Sequence, residues 1–269
     1  MSMKSVIFVG NWRDYFTGFS LNSFDDFFYY GDGRIINKNN KRDVSVLSLP
    51  IRDGGTGTFF LKRFLNPHIK DILSGWCAFG KATSQARLEY NNVMLLLKHG
   101  IDTYKPVCFG EETVLGVERR SFFITEKLNG DEFIDFLSQR WHGLKRDEQE
   151  KIMISMARLL RKAHDNDIVL PDAAVWHFFI RGKLHENLAH LSIIDLHRMR
   201  HNVTSCSRKI KDLSKLLWSM SADYFDSGHK DLFIREYTGS DGQDELNKIT
   251  EKVYRRVNVL LKRHQPKKY

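Results

Sequence analysis

Two carboxylates beside short apolar runs carry the first chemical signal in this chain. Asp172 stands in Val-Leu-Pro-Asp-Ala-Ala-Val-Trp-His-Phe-Phe-Ile, and Asp195 in Leu-Ser-Ile-Ile-Asp-Leu-His-Arg. Runs 176–180 and 191–194 read as two short strands joined by a polar connection, a hairpin pattern. One acid just before the first strand and one at the end of the second meet at one edge of that hairpin. Carboxylates so placed, with no adjacent Arg or Lys to neutralise them, need a cation or a reacting proton between them. His177, five residues after Asp172, adds a nitrogen at the same edge. Acids that merely cap strand ends have the same local sequence, so the rest of the chain has to decide.

A second pairing lies upstream. Residues 44–49 and 58–64 read as strands around the glycine-rich turn of residues 52–57. Period two puts Phe60, Lys62 and Phe64 on one face of the second strand. A lysine between two phenylalanines is either a buried ammonium that needs an anion or a snorkelling surface side chain. Residues 84–99 read as a helix ended by Gly100. Glu89 shares its apolar face with Ala86, Val93 and Leu96, so its carboxylate wants a cation there. Lys62 is available. Region 65–83, with Lys70, Trp76 and Lys81, reads as a loop able to touch substrate.

The elements that must position these groups follow in order. The aromatic-rich first thirty residues read as a preamble packed on the first lobe, with a helix near 22–28. Gly31-Asp32-Gly33-Arg34 is a tight turn, where a phosphate-covering loop or an ordinary β-turn fits equally. Residues 101–110 and 120–126 give two more strands, and the backbone of Glu126 to Leu128 suits a hinge that bonds an adenine edge. Helices are expected over 131–139 and 147–164, the second with Ile152, Met156, Leu159, Leu160 and Ala163 on one face. Another begins at Lys211-Asp212-Leu213. Asp212 is there to accept backbone hydrogen bonds from the Asp172 loop or simply to complement a helix N-terminus. A last helix, 244–263, buries Leu246, Ile249, Val253, Val257 and Leu260. Its basic side is a solvated face or is drawn to an anionic membrane.

Lys62, Glu89, Asp172, His177, Asp195 and Asp212 stand in kinase-like order and spacing. Ser192-Ile-Ile-Asp-Leu-His-Arg198 is the most specific fragment. It resembles the lipopolysaccharide core kinases, the heptose and Kdo kinase family, which carry Ile-Asp-Leu-His-Arg where protein kinases carry Asp-Phe-Gly. His177-Phe178 and the aromatic two residues before the strand lysine fit the same family. The resemblance covers about residues 31–220. It implies an α+β, bilobal, protein-kinase-like fold with a β-rich N-terminal lobe (1–127) and a mainly helical C-terminal lobe (128–269). It also implies ATP- and Mg²⁺-dependent phosphorylation of a sugar hydroxyl on inner-core lipopolysaccharide, at the cytoplasmic face of the inner membrane. By position, Asp172 is then the base, and Asp195 the main metal ligand with His177 beside it. Lys62 holds the ATP phosphates, Glu89 positions Lys62, and Glu126 and Leu128 form the hinge. Leu170-Pro171 departs from the His-Arg that usually precedes the catalytic Asp.

Composition bounds these readings. The net charge of +9 calls for an anionic partner: a phosphorylated or acidic sugar, an anionic lipid or a nucleic acid. No nucleic-acid motif supports the last. A histidine metal site from His185, His190, His197 and His201 lacks a ligand frame. Three widely spaced cysteines fit a reducing, cytosolic location. No apolar run approaches the ~20 residues of a membrane span. A kinase of another acceptor and a nucleotide-binding pseudokinase remain the competing functions.

Overall fold

The structure, a computed structural model, describes residues 2–51, 55–65, 83–182, 188–239 and 242–269. They form two compact units, Met1–Leu95 with Tyr104–Leu128, and Leu96–Thr103 with Asn129–Tyr269.

The first unit is built on a six-stranded sheet. Its strands are β1 (Ser2–Phe8), β2 (Arg34–Lys38), β3 (Arg42–Pro50), β4 (Thr56–Phe64), β5 (Pro106–Val114) and β6 (Val117–Glu126). They lie in the order β1-β5-β6-β4-β3-β2, every neighbour antiparallel. Two short helices, α1 (Trp12–Thr17) and α2 (Phe24–Phe28), cover one face. Phe16, Phe24, Phe27 and Phe28 pack there against Leu47, Leu49, Phe59, Leu61, Phe122 and Ile124. Each fully buried Phe contributes about 2 kcal/mol, so the aromatic preamble is core. Ser23 and Asp26 cap α2 reciprocally, which fixes where that helix starts.

The strand β1 has no counterpart in the reading of the sequence. It is an edge strand whose first four residues are exposed, so it lacks the alternation that marks a half-buried strand. Gly31-Asp32-Gly33 lies ahead of β2 instead of between two strands. A Cβ on Gly33 would come within 3.1 Å of the Ser45 Cβ, so close packing accounts for this glycine. The β2–β3 turn is made by Asn39, whose Oδ1 accepts the Lys41 and Arg42 amides at 2.9 and 3.0 Å. Residues 52–54 of the glycine-rich turn, and Lys70, Trp76 and Lys81, lie outside the described residues.

Alternation along β4 then does what the site requires. Phe59 and Leu61 enter the aromatic core, which turns Lys62 to the opposite face. Helix α3 (Gln85–Lys98) brings Glu89 to meet it.

The second unit holds α4 (Phe133–Arg140), α5 (Arg146–Asp165), α6 (Cys206–Ser219), α7 (Ser227–Thr238) and α8 (Gln243–Arg263). A small antiparallel sheet joins β7 (Asp131–Glu132), β8 (Phe178–Arg181) and β9 (His190–Ile193). Ile152, Met153, Met156, Ala157, Leu160 and Ala163 bury one stripe of α5. Of the residues expected to be buried on α8, Val253 and Val257 are, while Leu246, Ile249 and Leu260 are half-buried.

Three expected boundaries move. Residues 101–105 precede β5 instead of belonging to it. The Asp102 carbonyl accepts the Ile193 amide (3.0 Å) and Thr103 Oγ1 donates to the Ile193 carbonyl (2.6 Å), so this segment flanks β9. Trp176 and His177 sit in a 3-10 turn ahead of β8, closed by the His177 amide on the Ala174 carbonyl at 2.8 Å. Helix α6 starts at Cys206, five residues before Lys211.

Candidate active site

In the first unit, Lys62 Nζ donates to both oxygens of Glu89, at 3.0 and 2.7 Å. Glu89 is 3 % exposed and Lys62 14 %. A pair this buried persists only when its remaining lone pairs are met. Tyr104 does that, its hydroxyl donating to Glu89 Oε1 at 2.6 Å. Lys62 is therefore held on the sheet face away from the aromatic core. At the end of β6, the Glu126 amide donates to the Lys105 carbonyl and the Lys127 amide to the Thr58 carbonyl.

In the second unit, Asp172 and Asp195 line one narrow cleft together with Leu170, Ile193, Leu196 and Met199. The two acids do meet at the base of the β8–β9 hairpin. Asp172, however, has a cationic neighbour after all. Arg198 Nη1 donates to its Oδ1 at 2.9 Å. Asp172 Oδ2 is buried and has no hydrogen-bond partner among the described residues. One oxygen is thus fixed by Arg198 and the other is buried without such a partner, a carboxylate whose proton affinity is not fully satisfied by the described residues.

The 3-10 turn folds His177 back so that Nδ1 lies 2.7 Å from the Asp172 carbonyl. A carbonyl only accepts, so Nδ1 carries a hydrogen. Nε2 is 3.8 Å from Asp195 Oδ2. His197 Nδ1 donates to the other oxygen, Asp195 Oδ1, at 2.8 Å. Asp195 itself has φ of +62°, a left-handed conformation that Asp tolerates better than most residues. Such backbone strain gathers where a side chain must be aimed.

Asp212 anchors the Asp172 loop from beneath. Its Oδ2 accepts the Leu170 amide at 2.5 Å and lies 3.2 Å from His164 Nε2. His164 Nδ1 is 2.7 Å from the Tyr237 hydroxyl. Burial, then the charges of Asp165 and Asp212, push that hydroxyl's pKa well up, and the Asp212 carboxylate can only accept from His164. The His164 proton then sits on Nε2 and faces Asp212.

The structure brings together Asp172, His177 and Asp195 in one unit, and Lys62 with Glu89 in the other. Of the four histidines considered as a metal set, the described ones have other partners or lie apart from a ligand group. His190 bonds Asp102 at 2.8 Å, His197 bonds Asp195, and His185 lies outside the described residues. No set of three metal-ligating side chains occurs among the described residues. Sequence reasoning gave no role to Arg198 or Tyr104, and weighed His197 only as a metal ligand. Arg198 and His197 lie inside the Ile-Asp-Leu-His-Arg fragment, which was the available signal. Nothing in the sequence marks Tyr104.

Each unit's fold is of the protein-kinase-like class, the sheet unit carrying the Lys62–Glu89 pair and the helical unit Asp172 and Asp195. The family model described as the lipopolysaccharide kinase (Kdo/WaaP) family matches residues 30–237, and the chain belongs to that family. It is similar to a lipopolysaccharide core heptose(I) kinase WaaP of Escherichia coli, 27 % identical over 220 residues, covering 74 % of this chain and 82 % of that one. It is also similar to the Pseudomonas aeruginosa enzyme of the same description, 26 % identical over 157 residues, 56 % of this chain and 59 % of that one. Among solved structures, a WaaP in complex with acyl carrier protein aligns with a TM-score of 0.69 at 19 % identity, over 95 % of this chain and 99 % of that one. No helix among the described residues is long and apolar enough to cross a membrane.

Proposed function

We propose that this chain transfers the γ-phosphoryl group of ATP to a hydroxyl of heptose or Kdo in the lipopolysaccharide inner core. The observation that carries the reading is Asp172, with one oxygen held by Arg198 and the other buried and bare, beside Asp195. Family membership and the heptose kinase relatives support the acceptor class.

Phosphoryl transfer asks the protein mainly for positioning and charge stabilisation. Asp172 orients the acceptor hydroxyl and takes its proton. Lys62, steered by Glu89 and Tyr104, holds the α- and β-phosphates. The main chain of Glu126 to Leu128 meets the adenine edge, and Phe60 lines the pocket beside it.

A Mg²⁺ ion fits the donor set near Asp195. Magnesium is commonly held by one or two carboxylates, substrate phosphates and water, and Asp195 supplies the carboxylate. With its ring neutral, His177 directs an Nε2 lone pair to the same place. Its Nδ1 hydrogen bond to a backbone carbonyl is the usual support of a ligating histidine. The bound ion would neutralise charge on the phosphates. His197 keeps the Asp195 carboxylate oriented.

The acceptor's lipid places the working enzyme at the cytoplasmic face of the inner membrane as a peripheral protein. The net charge of +9 suits an anionic surface. The test is transfer of labelled γ-phosphate from Mg²⁺-ATP to purified inner-core lipopolysaccharide, with Asp172→Ala as control. Label in the sugar core, lost in the variant, supports the reading. Tight Mg²⁺-ATP binding with no label in any acceptor supports a pseudokinase instead.

A further inference from the structure

Beside Asp172 lies a cluster of cations that the roles above do not use. Lys215 Nζ stands 3.8 Å from the Trp218 ring centroid and 5.8 Å from that of Trp176. Lys267 Nζ stands 5.3 Å from the same Trp176 centroid. Neither ammonium forms a salt bridge among the described residues. Burial lowers the Lys215 pKa, the Asp172 carboxylate opposes that shift, and Arg198 and Lys267 reinforce it. Three cations and one carboxylate therefore sense one another, and that carboxylate is already bonded to Arg198. An unbalanced positive field attracts an anion.

The cluster is held in place from several sides. The Val175 amide donates to Ser219 Oγ at 2.9 Å, which ties the Asp172 segment to the end of α6. Trp176 and Trp218 meet edge to face at 6.0 Å. Residues 264–269 fold back over them. Trp218 Nε1 donates to the His264 carbonyl at 3.0 Å. The Tyr269 hydroxyl donates to the Ser219 carbonyl at 2.7 Å and accepts the Ser221 amide at 3.0 Å, while its ring stacks on Tyr224. Lys267 is thus carried on a segment anchored on both sides of it.

We infer that Lys215 and Lys267, seated on Trp176 and Trp218, form a subsite for an anionic group, carboxylate or phosphate, on the acceptor sugar. The inference rests on the reading of Asp172 as the group that faces the acceptor hydroxyl. Lys215 and Lys267 are positioning residues: they bind an anion next to the reacting hydroxyl and thereby select inner-core acceptors that carry acidic groups. The Trp176 edge supplies an apolar wall for the sugar ring.

The probe is the deacylated inner-core oligosaccharide, titrated calorimetrically into the full chain in three forms: native, carboxyl-reduced and phosphate-free. Loss of a charged hydrogen-bond partner costs about tenfold in affinity. The Lys215→Ala/Lys267→Ala double variant is expected to bind the native form at least about tenfold more weakly, and the Lys→Arg pair to restore binding. The form that lacks the recognised anion should bind wild type and double variant alike, which separates carboxylate from phosphate. Melting curves and Mg²⁺-ATP affinity report on folding. Equal affinity of wild type and double variant for the native probe overturns the inference, as does absence of binding to wild type. Phosphate transfer is read separately. Charge-dependent binding without transfer would remove the kinase reading and keep the subsite. Transfer with an acceptor KM indifferent to both lysines would remove the subsite and keep the kinase.

Discussion

Arg198 holds Asp172 by one carboxylate oxygen and leaves the other buried and without a partner. The two residues lie twenty-six positions apart and meet because the β8–β9 hairpin returns the chain to its starting edge. Arg198 is therefore expected to set the direction of the carboxylate without touching ATP. Arg198→Ala should lower kcat by roughly ten- to a hundredfold, because misplacement by about 1 Å costs that much. The KM for ATP should stay unchanged. Arg198→Lys, a point charge without the planar fork, should recover part of the loss. Steady-state kinetics with each substrate varied checks this, and an unchanged kcat in Arg198→Ala would remove the role.

The Lys62–Glu89 pair predicts losses of both stability and turnover when either partner is removed. Glu89→Ala leaves a largely buried ammonium with no carboxylate, which costs about 3 kcal/mol on removal of one partner. A urea melt should register that loss. Lys62→Met leaves the still more buried Glu89 carboxylate with only the Tyr104 hydroxyl and should cost a similar amount of stability. Its turnover should fall by about a hundredfold or more, since the lost interaction faces charge in the transition state. A fully active Lys62→Met enzyme would rule out its phosphate-binding role.

Much of this pairing was readable from patterns, and the reasons are physical. Period two put Lys62 opposite Phe59 and Leu61, and helical spacing set Glu89 on an apolar face, so two misfit charges implied each other. Asp212 was readable as an anchor for the Asp172 loop by position, and its bond to the Leu170 amide is present. Contacts made by single long side chains across a turn were not readable. Arg198 and Tyr104 leave no periodic trace, and an arginine three residues beyond Asp195 has no direction until the hairpin forms. The strand β1 escaped for a different cause: an exposed edge strand lacks the alternation that burial imposes. Gly33 could not be assigned from sequence, because a packing glycine and a phosphate-loop glycine look the same there.

Asp212 should couple fold and function more tightly than either pair above. It is 2 % exposed and meets the Leu170 amide and His164 together. Asp212→Ala orphans a buried amide and is expected to destabilise the second unit by about 2 kcal/mol. It should also lower kcat, by loosening the segment that carries Asp172. Asp212→Asn can still accept the amide bond and should recover part of both losses. Chemical denaturation and kinetics on the same preparations check the prediction; stability lost with kcat intact would separate the two effects.

Acid stability should carry the signature of the α7 cap. Asp226 is held down to about 2, from the usual 3.8, first by the Arg146 guanidinium and then by the His229 amide. A depressed carboxylate stabilises the folded state above its unfolded pKa and loses that contribution as pH falls through the folded value. The melting-temperature difference between wild type and Asp226→Asn should therefore be full at pH 6 and shrink as pH drops from about 4 toward 2. A difference that grows over that interval would contradict the assignment.

The most direct test of the central claim is a single-turnover comparison of wild type with Asp172→Asn at saturating Mg²⁺-ATP and inner-core acceptor. Asparagine preserves the shape and can still accept the Arg198 bond, but it cannot take the hydroxyl proton. The account predicts phosphoryl transfer slowed by about 10² to 10⁴-fold, with Mg²⁺-ATP affinity retained. Transfer within about threefold of the wild-type rate, far short of a general base's contribution, would contradict it.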